Sequence, residues 1–208
     1  MNRRRLLSFL GLLPVAVTAL PVLEWLGDRN RPRRIRPAAG FHGRYFPDVV
    51  LRTHDGERVR FYDDLLKGKT VTINFFHAAC TDGLCAVAMR NLAELQRLLG
   101  DRCGRDVFMY SLSLAPVEDT PERIRRLRDQ LGADPGWTFL TGSARDLELC
   151  RVRLGFTDPD ARADRDPSQH TNRVLFGNEP HERWMASPAL GQPDFLLDQV
   201  NRVAGLQA

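Results

Sequence analysis

The sequence of 208 residues has no internal repeat, no segment biased enough to be disordered throughout, and only four cysteines. The missing repeat excludes a solenoid or a propeller. Its N-terminal uncharged stretch, Leu6 to Leu23, is interrupted by Pro14 and Pro21, so against the roughly 20 apolar residues that cross a bilayer it is a marginal span. Apolar and charged fractions of 43% and 27% exclude fibrous and disordered classes, leaving one domain with a sizeable core and an appendage at its start. Net positive charge is also lacking in the part that folds. Of the formal +4, residues 1–36 supply +6 through eight arginines set against Glu24 and Asp28, so the remainder carries −2. With no basic face carrying interleaved aromatics, nucleic acid is excluded as a partner.

What is present begins with Arg3-Arg4-Arg5 ahead of that uncharged stretch, an export signal by composition. Arg3-Arg4-Arg5-Leu6-Leu7 also fits a twin-arginine pattern. Val17-Thr18-Ala19 offers small residues for cleavage without the Ala-x-Ala form, so two outcomes stay open for residues 1–26: a signal peptide or an N-terminal membrane anchor. Residues 27–43, rich in Arg and Pro, read as an extended linker whose charge suits anionic lipid headgroups. Residues 44–208 form the folded domain. The expected location is periplasmic or otherwise extracytoplasmic, tethered to the inner membrane if the first segment is retained.

Within the domain, Val49–Arg52 and Arg58–Tyr62 flank an Asp55-Gly56 turn and predict a β-hairpin, followed by a short connection over Asp63–Lys69. Thr70–Phe76 reads as a buried strand. Leu84, Ala88, Leu92, Leu95 and Leu99 recur at helical spacing, with Gly100 as the stop. Asp106–Leu114 is a second core strand. Asp119 or Thr120 can cap a helix started by Pro121, Trp137–Thr141 is a third strand, and Ser143 with Asp146 suggests a capping box for a helix over Ala144–Leu154. Asp158–Gln169 is charged and contains proline, so an exposed loop is expected. Thr171–Gly177 and Glu182–Ala186 predict a closing hairpin, and an amphipathic helix starts near Pro193. This alternation predicts an α/β sandwich with a central mixed sheet flanked by helices.

The chemistry gathers where Phe75-Phe76-His77 runs into Cys80 and Cys85, between a strand and a helix. Helix N-termini favour the thiolate, so such a junction presents reactive thiols. Cys80, Cys85 and His170 form a soft donor set suited to Cu(I), Cu(II) or Zn(II) and poorly suited to Ca or Mg. Equally open from the residues is a plain Cys80–Cys85 disulfide, since exported proteins use cysteines mostly that way. Taken alone, a histidine such as His170 is more often a surface or hydrogen-bonded residue than a ligand. His77 either ends its strand by packing or is a candidate ligand ranked below His170. Cys150 falls on an apolar helix side with Leu147 and Leu154 and reads as a buried, inert thiol. Cys103 lies in what reads as a tight exposed turn, Gly100–Gly104. Trp184 is assigned no role beyond packing.

Phe75-Phe76 before the paired cysteines, Ser111-Leu112-Ser113, Glu118-Asp119-Thr120-Pro121-Glu122, Trp137-Thr138-Phe139-Leu140-Thr141-Gly142-Ser143 and the late His170 together resemble the Sco/SenC copper-chaperone family. The resemblance covers about residues 44–190, in the family's order. It implies a thioredoxin-like fold, export, usually a membrane tether, and copper held by two cysteines and a distant histidine. Carried over by position, these ligands are Cys80, Cys85 and His170. The implied partner is cytochrome c oxidase subunit II or another copper-receiving protein, assisted by metal delivery, by reduction of its cysteines, or both. If thiols exchange, Cys80 and Cys85 are also the redox pair. The sequence departs from the family in one place: three residues normally separate the cysteines and a proline often follows, whereas here four intervene and Ala86 follows. Absorbed in the helix, the added residue would turn the second thiol by about 100°; Gly83 gives the loop the freedom to take it up instead.

Two other readings remain. One is a thioredoxin-like thiol-disulfide oxidoreductase or peroxidase, with Cys80 and Cys85 as attacking and resolving thiols. The other is a non-catalytic binding or sensing module whose pair is a permanent disulfide. The wide cysteine spacing, and Ser168-Gln169-His170 where thioredoxin-type reductases place a proline, favour metal handling.

Overall fold

The computed structural model describes residues 45–79, 83–165 and 172–206. The leader and linker assigned to residues 1–43 therefore lie outside the described residues, as do Cys80 and His170. The chain divides into two units, Met1–Arg36 and Pro37–Ala208, and the described residues belong to the second.

Val50–Thr53 (β1) and Arg58–Arg60 (β2) form the expected hairpin. Its turn needs glycine: Gly56 has φ 85°, in the left-handed region. The second strand stops short of Tyr62 because Phe61–Leu66 winds into one π-helical turn, burying Phe61, Tyr62, Leu65 and Leu66. The short connection expected at Asp63–Lys69 is thus partly core. Next come Thr70–Phe76 (β3), Leu84–Leu99 (α1), Val107–Ser113 (β4), Pro121–Gln130 (α2), Trp137–Thr141 (β5) and Ala144–Arg153 (α3). Arg173–Asn178 (β6), Arg183–Pro188 (β7) and Pro193–Ala204 (α4) complete the chain. The two cap assignments are local chemistry. Thr120 Oγ1 accepts the Arg123 N–H at 3.4 Å, and Ser143 Oγ accepts the Asp146 N–H at 3.1 Å.

All seven strands join one sheet in the order β2-β1-β5-β4-β3-β6-β7. β3, β4 and β5 are parallel, in register from Thr70 opposite Val107 to Phe76 opposite Ser113. β6 and β7 extend one side antiparallel, as expected of the closing hairpin. The first hairpin adds a second antiparallel edge, because β1 runs against β5.

Strand alternation sorts the core into two layers. Val71, Ile73, Phe75, Tyr110, Leu112 and Leu140 face α3 and the π-helical turn. Phe76, Met109, Trp137, Phe139, Val174 and Phe176 face α1, α2 and α4. A buried polar chain crosses the second layer: Trp137 Nε1 donates to Ser111 Oγ at 2.8 Å, and Ser111 Oγ donates to Asn74 Oδ1 at 2.6 Å. Each polar atom in it is answered, so burial costs little.

Candidate functional site

The three parallel strands end on one rim, where open α/β sheets place their ligands. β3 delivers Phe76 and His77 to that rim, and α1 leaves it at Leu84. Gly83, with φ 79° and ψ −28°, is the left-handed residue immediately before the helix. α1 begins at Leu84, one residue before Cys85, while Thr81 and Asp82 between the cysteines lie outside the described residues. Cys85 sits in the first turn of α1, buried at 5% exposure. Its expected companions, Cys80 and His170, lie outside the described residues, and among the described residues no group of three His, Cys, Asp or Glu forms a metal-binding cluster.

His77 closes β3 with its ring largely buried: Nε2 is 3.5 Å from Glu118 Oε2, while Nδ1 is buried without a partner. Beside it lies Asp119, which the sequence offers as an alternative helix cap and within the Glu118–Glu122 motif. Asp119 is fully buried. Its Oδ2 accepts from Ser113 Oγ at 2.7 Å and, at 3.5 Å, from the Ala78 N–H at the start of the cysteine loop. Oδ1 has no partner, and burial pushes the carboxyl above its ordinary range despite the Ser113 hydrogen bond. The signal available in the sequence was that Asp119-Thr120 offered two caps where a helix takes one. Thr120 takes the cap and Asp119 turns inward.

The other thiols are remote in character. Cys150 is wholly buried, and desolvation pushes its thiol up to about 12. Cys103 is not in an exposed turn. It is half-buried against the α1 and α4 layer, receives a Gln96 Nε2–H hydrogen bond at 3.5 Å, and burial raises its pKa. The bridge between Cys103 and Val107 folds this turn back onto the start of β4.

The start of the long loop is ordered by one clamp. Arg151 Nη1 donates to Asp164 Oδ1 at 2.6 Å, its Nε donates to Glu148 Oε2 at 2.8 Å, and Asp164 Oδ1 also accepts the Asp158 N–H at 2.8 Å. The Arg151 hydrogen bonds, with that N–H, hold the Asp164 carboxyl down at about 2. Among the described residues no helix is long and apolar enough to cross a membrane.

A mixed sheet of this order, with a cysteine-bearing junction after its first parallel strand, defines a thioredoxin-like α/β protein. The chain belongs to the SCO1/SenC family, which matches it over residues 40–203. No curated protein matches it. Among solved structures it is similar to a SCO1/SenC family lipoprotein from Bacillus anthracis (20% identity, TM-score 0.62, covering 76% of this chain and 94% of that one). Bradyrhizobium japonicum ScoI with copper bound is similar at 22% identity and TM-score 0.58, over 74% of this chain and 96% of that one. So is BsSco, a Sco family member with a disulfide switch, at 19% identity and TM-score 0.59, over 76% and 92%. At these identities the likeness is one of fold.

Proposed function

We propose that this chain is an exported copper-handling protein that assists assembly of the copper centre of cytochrome c oxidase. Cys80, Cys85 and His170 would hold the metal, and residues 1–26 would direct export or anchor the protein. The observation that carries the reading is Cys85, a buried thiol in the first turn of the helix that follows the cysteine loop, in a chain of the SCO1/SenC family. Relatives in that family hold copper, among them ScoI from Arabidopsis thaliana and Sco1 from yeast. The B. anthracis relative is a lipoprotein, which supports an extracytoplasmic location.

Copper is cargo here. Thiolates suit Cu(I), and an imidazole extends the set toward Cu(II). Transfer to cytochrome c oxidase subunit II, or another copper-receiving protein, proceeds by ligand exchange. A bond to the partner's sulfur forms as one to this chain's sulfur breaks, without change of oxidation state. The neighbouring reading is thiol reduction, which the disulfide switch of BsSco favours. There, one thiolate of the pair attacks a partner disulfide. The second then displaces the partner's thiolate, so Cys80 and Cys85 are oxidised to a disulfide as the partner gains two thiols.

The test is a Cu(I) titration of the reduced protein in competition with a chelator, repeated for Cys80→Ser, Cys85→Ser and His170→Ala. Each variant is expected to bind copper more weakly, the cysteine variants most. Wild-type binding no tighter than that of the variants would remove the copper reading. A thiol–disulfide exchange assay on the same proteins then decides whether the pair also acts as a reductant.

A further inference from the structure

Two arginines stand side by side on one sheet edge with no carboxylate answering them. Arg52 of β1 is opposite Arg58 of β2 on one side and Thr141 of β5 on the other. Cross-strand partners share a face, so the three side chains form one row. Like charges directly opposite destabilise a strand pair. Yet neither guanidinium has an ion pair or hydrogen bond among the described residues. The contrast is with Arg60, close by on the same strand, whose guanidinium lies 2.7 Å from Asp48 and 2.9 Å from Asp63.

The third member of the row adds an independent sign. Thr141 is 4% exposed, and its hydroxyl is buried without a partner. Buried hydroxyls are rarely left so, because the lost hydration is not recovered. All three residues line a pocket of about 490 Å³ on the rim where β4 and β5 end. Its far wall is made by the starts of α2, at Thr120 and Pro121, and α3, at Ser143. Both helices direct the positive ends of their dipoles toward this corner. Two carboxylates also line it, Asp119 and Asp146. Asp119 is fully buried, and its Oδ2 is engaged by the Ser113 hydroxyl at 2.7 Å.

We propose that this pocket binds a phosphate-class oxyanion, gripped by Arg52 and Arg58, with the Thr141 hydroxyl donating to it and the α3 N-terminus facing it. Paired guanidinia and a helix start are the groups that recognise such an oxyanion. The ligand is either free phosphate or the phosphate of a lipid headgroup, which present the same chemistry to the site. Among the described residues its lining holds no cysteine, and it borders the cysteine loop through Asp119, which accepts the Ala78 N–H at 3.5 Å.

The experiment uses the full chain without metal. Inorganic phosphate is titrated by calorimetry and by amide chemical shifts of Gly142 and Ser143, against chloride at equal ionic strength. Saturable binding is expected, with Thr141→Val weakening it about tenfold as one charge-assisted hydrogen bond is lost, and Arg52→Ala with Arg58→Ala about a hundredfold or more. Should the double alanine variant fail to fold, Arg52→Lys with Arg58→Lys keeps the charge and loses the fork, with about tenfold weaker binding expected. Phosphate that acts no differently from chloride, or an affinity unchanged by these substitutions, overturns the proposal. Sedimentation with phosphatidylglycerol vesicles separates the sources. Capture that phosphate competes away and the arginine variant loses assigns the headgroup, and saturable phosphate binding without such capture assigns the free ion.

Discussion

At the scale of single residues, burial decides what the titratable groups can do. His54 is 7% exposed; its Nδ1 accepts the Phe139 N–H at 3.2 Å and its Nε2 lies 3.2 Å from Asp55 Oδ2. Burial lowers its pKa, outweighing the opposing pull of Asp55. The folded state therefore disfavours the proton that the unfolded chain accepts at about pH 6.5. This stability is fully present above that value and is lost as pH falls below it toward the folded pKa. Denaturant unfolding at pH 7.5 and 5 is expected to show a loss for the wild type and a smaller loss for His54→Gln; equal losses would remove His54 as the cause. Cys150 shows the same physics for a thiol. With a pKa pushed up to about 12, it is expected to resist alkylation at pH 8 in the native protein and to react once unfolded. Cys150→Ser, which buries a hydroxyl in an apolar layer, should cost about 1–3 kcal/mol in denaturant unfolding.

At the scale of elements, the closing hairpin and the long loop are each held by a specific side-chain contact. β6 crosses under Trp184 at Gly177, where an added Cβ would stand 2.0 Å from the indole Cζ3. The ring cannot simply retreat, because it packs on Phe46 at 4.9 Å between centroids. Gly177→Ala is expected to destabilise by about 1–3 kcal/mol and to shift Trp184 fluorescence, as overpacking of a filled site does. No shift in midpoint would mean that the indole has room to move. The Arg151–Asp164 clamp works on the segment that leads toward His170. Asp164, held near 2 by the hydrogen bonds of Arg151, contributes stability that is present above the ordinary carboxylate value and lost as pH falls toward 2. Asp164→Asn should loosen that segment, read as faster amide exchange at Asp158 and faster proteolysis within 157–165.

Across the whole molecule, Phe46 joins parts far apart in the chain. It stacks on Tyr62 at 5.9 Å and meets Trp184 of β7, while Tyr62 donates to the buried Glu179 at 2.8 Å. Glu179 Oε2 also accepts the Gly68 N–H at 2.7 Å, so the turn before β3 and the bend after β6 share one carboxylate. Phe46→Ala is expected to cost about 3–5 kcal/mol and to lower the midpoint of a single transition, since the cluster belongs to one core. A separate early transition would show instead that the segment frays alone.

Periodicity and punctuation alone determined the order of elements. Thr70–Phe76, Trp137–Thr141 and the helices opening at Leu84, Pro121, Ala144 and Pro193 follow from alternation, caps and prolines, which act within a few residues. Cys85 could be placed at a helix start for the same reason. Only the tertiary structure decided that the first hairpin joins the sheet against β5, that Cys103 is half-buried, and that Asp119 turns inward beside the cysteine loop. It also decided that Arg58, Arg52 and Thr141 stand in one row, a juxtaposition of residues up to 89 positions apart. Such arrangements depend on strand register and on which polar groups lose their water, and neither is written in local sequence.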